Sequence, residues 1–275
     1  MQRSALLLTF FFIFCKTNAQ YYYNDVVSLK SSNSIYSNLI SNNVHEVTAT
    51  NMQSDNTPTE DFAYSKLIRN NGAVVLTHTE LETGSISNRH DTYANGLLVQ
   101  SQDSTDNVLT TVLYNYDNKG NIVTIQTTTD DTAMSTHSTE LHKWFYTADI
   151  PDSMIRVKDN TDSTIIHFKK DEQNHIAEEI WLKKNREIEH YYYYYNDAGK
   201  LTDIVRFNTK AQQMLPDFLF EYDEHGMISQ LTQVLEGSSD YIIWHYVYND
   251  KRLKTKDVLF NKQHELLGTV TYQYR

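Results

Sequence analysis

Tyr193-Tyr194-Tyr195-Asn196-Asp197-Ala198-Gly199-Lys200-Leu201 carries the pattern that decides the fold. Two aromatics at i and i+2 lie on one face of a strand, because strand side chains alternate with a period of two. Asn and Gly then supply a turn, and an aliphatic residue opens the next strand. The same grammar recurs at Tyr114-Asn115-Tyr116-Asp117 with Gly120 and Ile122, and at Phe220-Glu221-Tyr222-Asp223 with Gly226 and Ile228. Looser copies are Trp144/Tyr146, Phe168/Lys170 and Tyr246/Tyr248, and the chain ends on Tyr272/Tyr274. The second members fall at 116, 146, 170, 195, 222, 248 and 274, a mean spacing of about 26 residues. Two strands and two turns fill such a unit, so each repeat reads as a β-hairpin.

Working outward, Asn71-Gly72 and Asn95-Gly96 each separate two strand-like runs and extend the hairpins upstream. A composition of 20 Tyr against 8 Gly and 3 Pro agrees with strands. Asn24 to Asn42 differs: Val26, Leu29, Ile35, Leu39 and Ile40 follow a helical stripe behind a capping Asn24 or Asp25. A strand at Val44–Thr50 and a polar loop from Asn51 to Asp61 follow. The expected fold is all-β: an antiparallel hairpin-repeat sheet, open or curled, with one short N-terminal helix. Its expected divisions are 1–19, a signal peptide; 20–60, the helix and first strand; and 61–275, the hairpin-repeat domain.

The signal reading rests on Arg3, the apolar run Ala5–Phe14, and the small residues Thr17 and Ala19, which place cleavage before Gln20. Phe14 before Cys15 argues against a lipid anchor. Cleavage removes Arg3, Lys16 and the single cysteine, leaving 22 basic against 35 acidic residues, a net charge of −13. That balance excludes general phosphate-backbone binding, so nucleic acid is not an expected partner. Without a cysteine there is neither disulfide nor thiol chemistry. The expected location is extracytoplasmic: periplasm, cell surface or medium.

The turn motif resembles the YD-repeat, or Rhs, family of secreted and cell-surface bacterial proteins. The likeness is carried by Tyr116-Asp117-Gly120, Tyr195-Asn196-Gly199 and Tyr222-Asp223-Gly226, and covers about residues 93–275. It implies long β-sheets and an extracytoplasmic setting, and it supplies no catalytic residues. The chain departs from the family in having few repeats, several without glycine.

Chemistry-bearing patterns are scarce. His137 and His142 are five apart and so on opposite faces of a shared strand, which does not make a metal site. Asp103, Asp106, Asp117 and the pair Asp130-Asp131 lack a calcium-loop pattern, and Asp at turns serves its own backbone. No Gly-x-Ser-x-Gly and no glycine-rich phosphate loop is present. Neither a cofactor nor catalysis is expected. The candidate recognition face is aromatic, Trp181, Tyr192, Tyr194 and Trp244, for an unidentified protein or glycan.

The leading functional expectation is a non-catalytic exported β-repeat protein with a binding or scaffolding role. The alternatives are a glycan-active enzyme and an outer-membrane β-barrel. Charged residues among the apolar ones in Glu179–Glu189 and Thr164–Asp171, and the terminal Arg275, weigh against the barrel and lead to an expectation of no stable membrane insertion.

Overall fold

The computed structural model describes residues 21–208, 212–235 and 239–275, so the expected signal peptide and Cys15 lie outside the described residues. A helix α1, Tyr23–Ser41, precedes eighteen strands. These are β1 Glu46–Gln53, β2 Ala63–Arg69, β3 Val74–Glu80, β4 Ile86–Ala94, β5 Leu97–Thr105, β6 Val108–Tyr116, β7 Ile122–Asp131, β8 Thr136–Thr147 and β9 Ile150–Lys158. There follow β10 Asp162–Lys170, β11 Ile176–Lys183, β12 Arg186–Tyr195, β13 Leu201–Asn208, β14 Gln213–Tyr222, β15 Ile228–Val234, β16 Tyr241–Tyr248, β17 Lys254–Asn261 and β18 Leu266–Tyr274.

Successive strands neighbour one another through the whole chain, and β1 joins both β2 and β18. The order is therefore cyclic: a closed eighteen-stranded antiparallel β-barrel. This corrects the expectation of an open or curled sheet. The closing ladder pairs Val47–Gln53 with Gly268–Tyr274, and it removes two rows of edge N–H and C=O groups that an open sheet would leave unpaired. The expectation of no stable membrane insertion falls with it. Lipid excludes sheet edges, whereas a closed barrel satisfies every backbone group internally.

The hairpin turns repeat one construction. Asp117, Asp171, Asn196, Asp223, Asn249 and Asn261 each accept backbone N–H groups from residues two and four further on, at 2.8–3.1 Å. Three residues after each, the chain takes a left-handed conformation: Gly120, Asn174, Gly199, Gly226, Arg252 and His264. Glycine is the unstrained choice there, and the copies without it keep the geometry with Asn, Arg or His. At Gly199 a second constraint acts, since an added Cβ would lie 3.0 Å from Nε2 of His175.

The tyrosines at the second aromatic position have their own task. Tyr116, Tyr195, Tyr248 and Tyr274 donate their hydroxyls to the carbonyls of Leu98, Ile176, Ile228 and Lys254, eighteen to twenty residues earlier, at 2.7, 2.9, 3.0 and 2.5 Å. Each bond ties the end of a hairpin to its beginning. This explains why the position is so often Tyr: Phe would fill the space and leave the carbonyl unpaired.

Two compact units divide the contacts: residues 36–88 with 218–275, and residues 21–35 with 89–217. In the first, Ile242, Trp244 and Leu259 form a core with Leu231, Leu235, Tyr246 and Leu267 packed against it. Tyr36 of α1 donates to the carbonyl of Gly72 at 2.9 Å, and Asn38 donates to the carbonyls of Lys251 and Arg252. In the second, Met154, Ile166, Tyr191 and Ile204 are fully buried, and Trp144 stacks on Phe168 at 5.2 Å.

Candidate functional site

In the second unit the start of α1 is seated on Glu179 of β11, a residue with no solvent exposure. Its side chain accepts from the N–H of Tyr22 at 2.7 Å, the N–H of Tyr23 at 2.8 Å, Nε1 of Trp181 at 2.6 Å and the hydroxyl of Tyr193 at 2.5 Å. A carboxylate on the wall thus caps the helix from outside its own sequence, where free N–H groups and the helix dipole favour negative charge. The rings of Tyr21, Tyr22 and Tyr23 pack around it: Tyr22 is 4.5 Å from Trp181, and Tyr23 is 5.4 Å from Tyr193 at a steep angle.

A second chain of polar contacts fixes the first turn. Asp25 lies 2.6 Å from Nδ1 of His142, Glu140 lies 2.9 Å from its Nε2, and Arg156 donates to Glu140 through Nε and Nη2 at 2.9 and 2.7 Å. The edge of the ring of Tyr22 or His142 meets the other's face at 5.1 Å. With carboxylates on both ring nitrogens, His142 has no nitrogen left to act as a general base. The arrangement holds a helix against a wall.

The four aromatics expected as one recognition face are separated by the pleat. Trp181 faces inward beside Glu179 and is buried, whereas Tyr192 and Tyr194 of β12 point outward, with Tyr194 51 % exposed. Trp244 is buried in the core of the other unit. On the outward side Tyr192 stacks on His190 at 4.3 Å, and His190 lies 3.0 Å from Glu178, which also receives Lys169 at 2.8 Å. His137 and His142 do take opposite faces, His137 outward on Asp130 at 2.7 Å.

Four cross-strand rows run across the outer face of β8 to β12 and their neighbours. They are Leu113–Gln126–Leu141–Val157–Ser163, Lys143–Ile155–Ile165–Leu182, Phe145–Ser153–His167–Ile180–His190 and Lys169–Glu178–Tyr192–Val205. Ile188, Tyr194 and Phe207 are also exposed on this unit. Of the charges that weighed against a barrel, Glu179 and Glu189 point inward, where Glu189 lies 3.7 Å from Arg206, and Lys169 and Glu178 lie on the outer face as an ion pair at 2.8 Å. Sequence reasoning missed Glu179, because a charge within a strand signals burial only after its face is known; it named Asp25 as a helix cap and weighed His142 for metal, but did not join the two.

The fold and site define a closed antiparallel β-barrel with a helix held on its buried face. No family model and no curated protein matches the chain. Solved structures similar to it include a porin-like protein from Bacteroides uniformis, 8 % identical, covering 84 % of this chain and 98 % of that one with a TM-score of 0.35. A porin-like protein from Bacteroides vulgatus is 11 % identical with the same coverage and a TM-score of 0.31. The Tc holotoxin pore of Photorhabdus luminescens is 9 % identical, covering 78 % of this chain and 16 % of that one, at 0.31. At these scores the likenesses carry no functional argument.

Proposed function

We propose that the protein is a non-catalytic outer-membrane β-barrel with a binding or scaffolding role in the cell envelope, its inward face occupied by packed side chains and by α1. The observation that carries the reading is the cyclic strand order, eighteen antiparallel strands with β1 paired on both sides. Closure with an even strand number is the outline of single-chain outer-membrane barrels.

The outward rows support it in the unit that contains them. Four rows two residues apart span roughly 20 Å along the strands, against an apolar band of about 25 Å in such barrels. The two middle rows hold Ile155, Ile165, Leu182, Ile180 and Phe145 together with Ser153, His167 and His190, and Lys143 extends its ammonium 5.5 Å over the ring of Phe145. Lys169 and Glu178 neutralise one another in the fourth row, and Tyr192 there suits an interface where an aromatic ring meets water. The six Asx-type turns support kinship with YD-repeat sheets, and the N-terminal apolar run supports export.

Fractionation of cells producing the full chain tests the reading. The protein is expected in the outer-membrane pellet after a carbonate wash, migrating faster on gels when unheated. Recovery as a detergent-free soluble monomer would overturn it.

A further inference from the structure

We infer that Asn95 is a site of spontaneous modification, deamidating by ring closure onto Gly96, and that the isoaspartate so formed slackens the tie between β5 and α1. The inference is independent of membrane insertion. Two Asn-Gly pairs turn the chain, Asn71-Gly72 between β2 and β3 and Asn95-Gly96 between β4 and β5. Glycine has no side chain to shield its backbone nitrogen, so in this dipeptide that nitrogen is free to attack the asparagine side chain. The nitrogen of Gly96 bonds to Cγ of Asn95, and the side-chain nitrogen leaves as ammonia. Water then opens the cyclic imide at one carbonyl to give aspartate, or at the other to give isoaspartate, whose main chain runs through Cγ. No oxidant, metal or enzyme enters the balance.

The two pairs share a resting geometry and differ in what holds it. Asn71 has φ 53° and ψ 36°, which turns the following nitrogen to the far side of Cα from the side chain. Asn95 and Gly96 have φ of 52° and 80°, the type I′ turn of a two-residue hairpin, with the same left-handed asparagine. Each turn must open before its ring can close, so the cost of opening sets the rate. Gly72 is buried under α1: its carbonyl accepts the Tyr36 hydroxyl at 2.9 Å, and the place of a Cβ is taken by Oη of Tyr36 at 2.8 Å and Cδ1 of Ile40 at 2.9 Å. Ala94, Asn95 and Gly96 are exposed, and beyond the chain neighbours nothing lies within 4 Å of a Cβ built on Gly96. The β4–β5 turn opens into solvent, whereas the β2–β3 turn opens only by pushing on α1.

Leu98, three residues beyond Asn95 and 2 % exposed, carries the tie. Its N–H donates to Oδ1 of Asn33 on α1 at 3.0 Å, and its carbonyl accepts from Tyr116 at 2.7 Å. Isoaspartate adds one atom to the main chain of a turn whose length fixes the register of β4 on β5. That extra atom shifts the start of β5 and draws the Leu98 N–H away from Asn33.

The test ages the full-length protein under native conditions at mildly alkaline pH and follows both Asn-Gly peptides by mass spectrometry, with isoaspartate detected by its enzymatic carboxyl methylation. Asn95 should deamidate about fivefold faster than Asn71 or more, the worth of the Tyr36 hydrogen bond alone. Tyr36→Phe removes that hydroxyl and keeps the ring; it should raise the Asn71 rate and leave Asn95 unchanged. Gly96→Ala should suppress the reaction at Asn95 alone, and thermal midpoints check that both variants fold. In the isoaspartyl fraction, hydrogen exchange at the Leu98 amide should quicken. Equal rates at the two sites, or an Asn95 that stays intact, overturns the assignment of the site, and unchanged exchange at Leu98 overturns its coupling to α1.

Discussion

Replacing Glu179 by Leu keeps the side-chain volume and removes the acceptor of four hydrogen bonds. Tyr193 is 3 % exposed and Trp181 8 %, so neither donor can turn to water, and the N–H groups of Tyr22 and Tyr23 lose their only side-chain cap. Each orphaned buried donor costs about 1–3 kcal/mol. Relief of the desolvated carboxylate offsets part of that sum, which leaves a net loss of about 3–5 kcal/mol. Denaturant titration followed by tryptophan fluorescence measures it, since Trp181 lies against the ring of Tyr22. Limited proteolysis should cut α1 before any strand. The control is Glu178→Leu, one residue along on the outer face, where an exposed pair to Lys169 and a half-buried one to His190 are together worth about 1 kcal/mol. A loss below about 1 kcal/mol for Glu179→Leu, with α1 still protected, would refute the view that the wall carboxylate holds the helix.

The tyrosine ladder predicts that Tyr195→Phe costs about 1 kcal/mol by orphaning the Ile176 carbonyl, read from the shift in the denaturant midpoint. Gly72→Ala should be worse, about 2–4 kcal/mol, because φ is +96° and the new Cβ would lie 2.8 Å from Oη of Tyr36 and 2.9 Å from Cδ1 of Ile40. Arg252→Gly should raise the thermal midpoint through relief of about 1 kcal/mol of left-handed strain at φ +58°. In the β6–β7 turn, the Asn121 side chain first, and then the N–H groups of Asn121 and Lys119, hold the Asp117 carboxyl below the usual aspartate range. Its stabilising contribution is present above the ordinary aspartate pKa and disappears as pH falls through the depressed value. A carboxyl-carbon NMR titration should find that midpoint below an ordinary aspartate, and an unshifted midpoint would remove the effect.

Much of the local structure was legible in the chain. The period of about 26 residues, the Asx-plus-glycine turns, the two Asn-Gly hairpins and a helix near residues 24–42 all depend on contacts between near neighbours, governed by backbone sterics and side-chain alternation. The seat at Glu179 was not legible: its partners Tyr22 and Tyr23 are 157 and 156 residues away, and a Glu between Glu178 and Ile180 has no local mark of burial. The same blindness applies to Trp181 against Tyr192, which alternation puts on opposite faces while leaving open which face is which.

By itself, then, the sequence determined the hairpin unit and its turns, because those are short-range consequences of residue type. Closure was decided only by the tertiary structure. Val47 meets Tyr274 across nearly the whole chain, and only the pairing of the first strand with the last says that the repeats join into a ring instead of ending in two edges. The physical reason is that an exposed edge and a paired edge use the same residues; what differs is the free energy of two rows of backbone groups, and no window of sequence contains both rows.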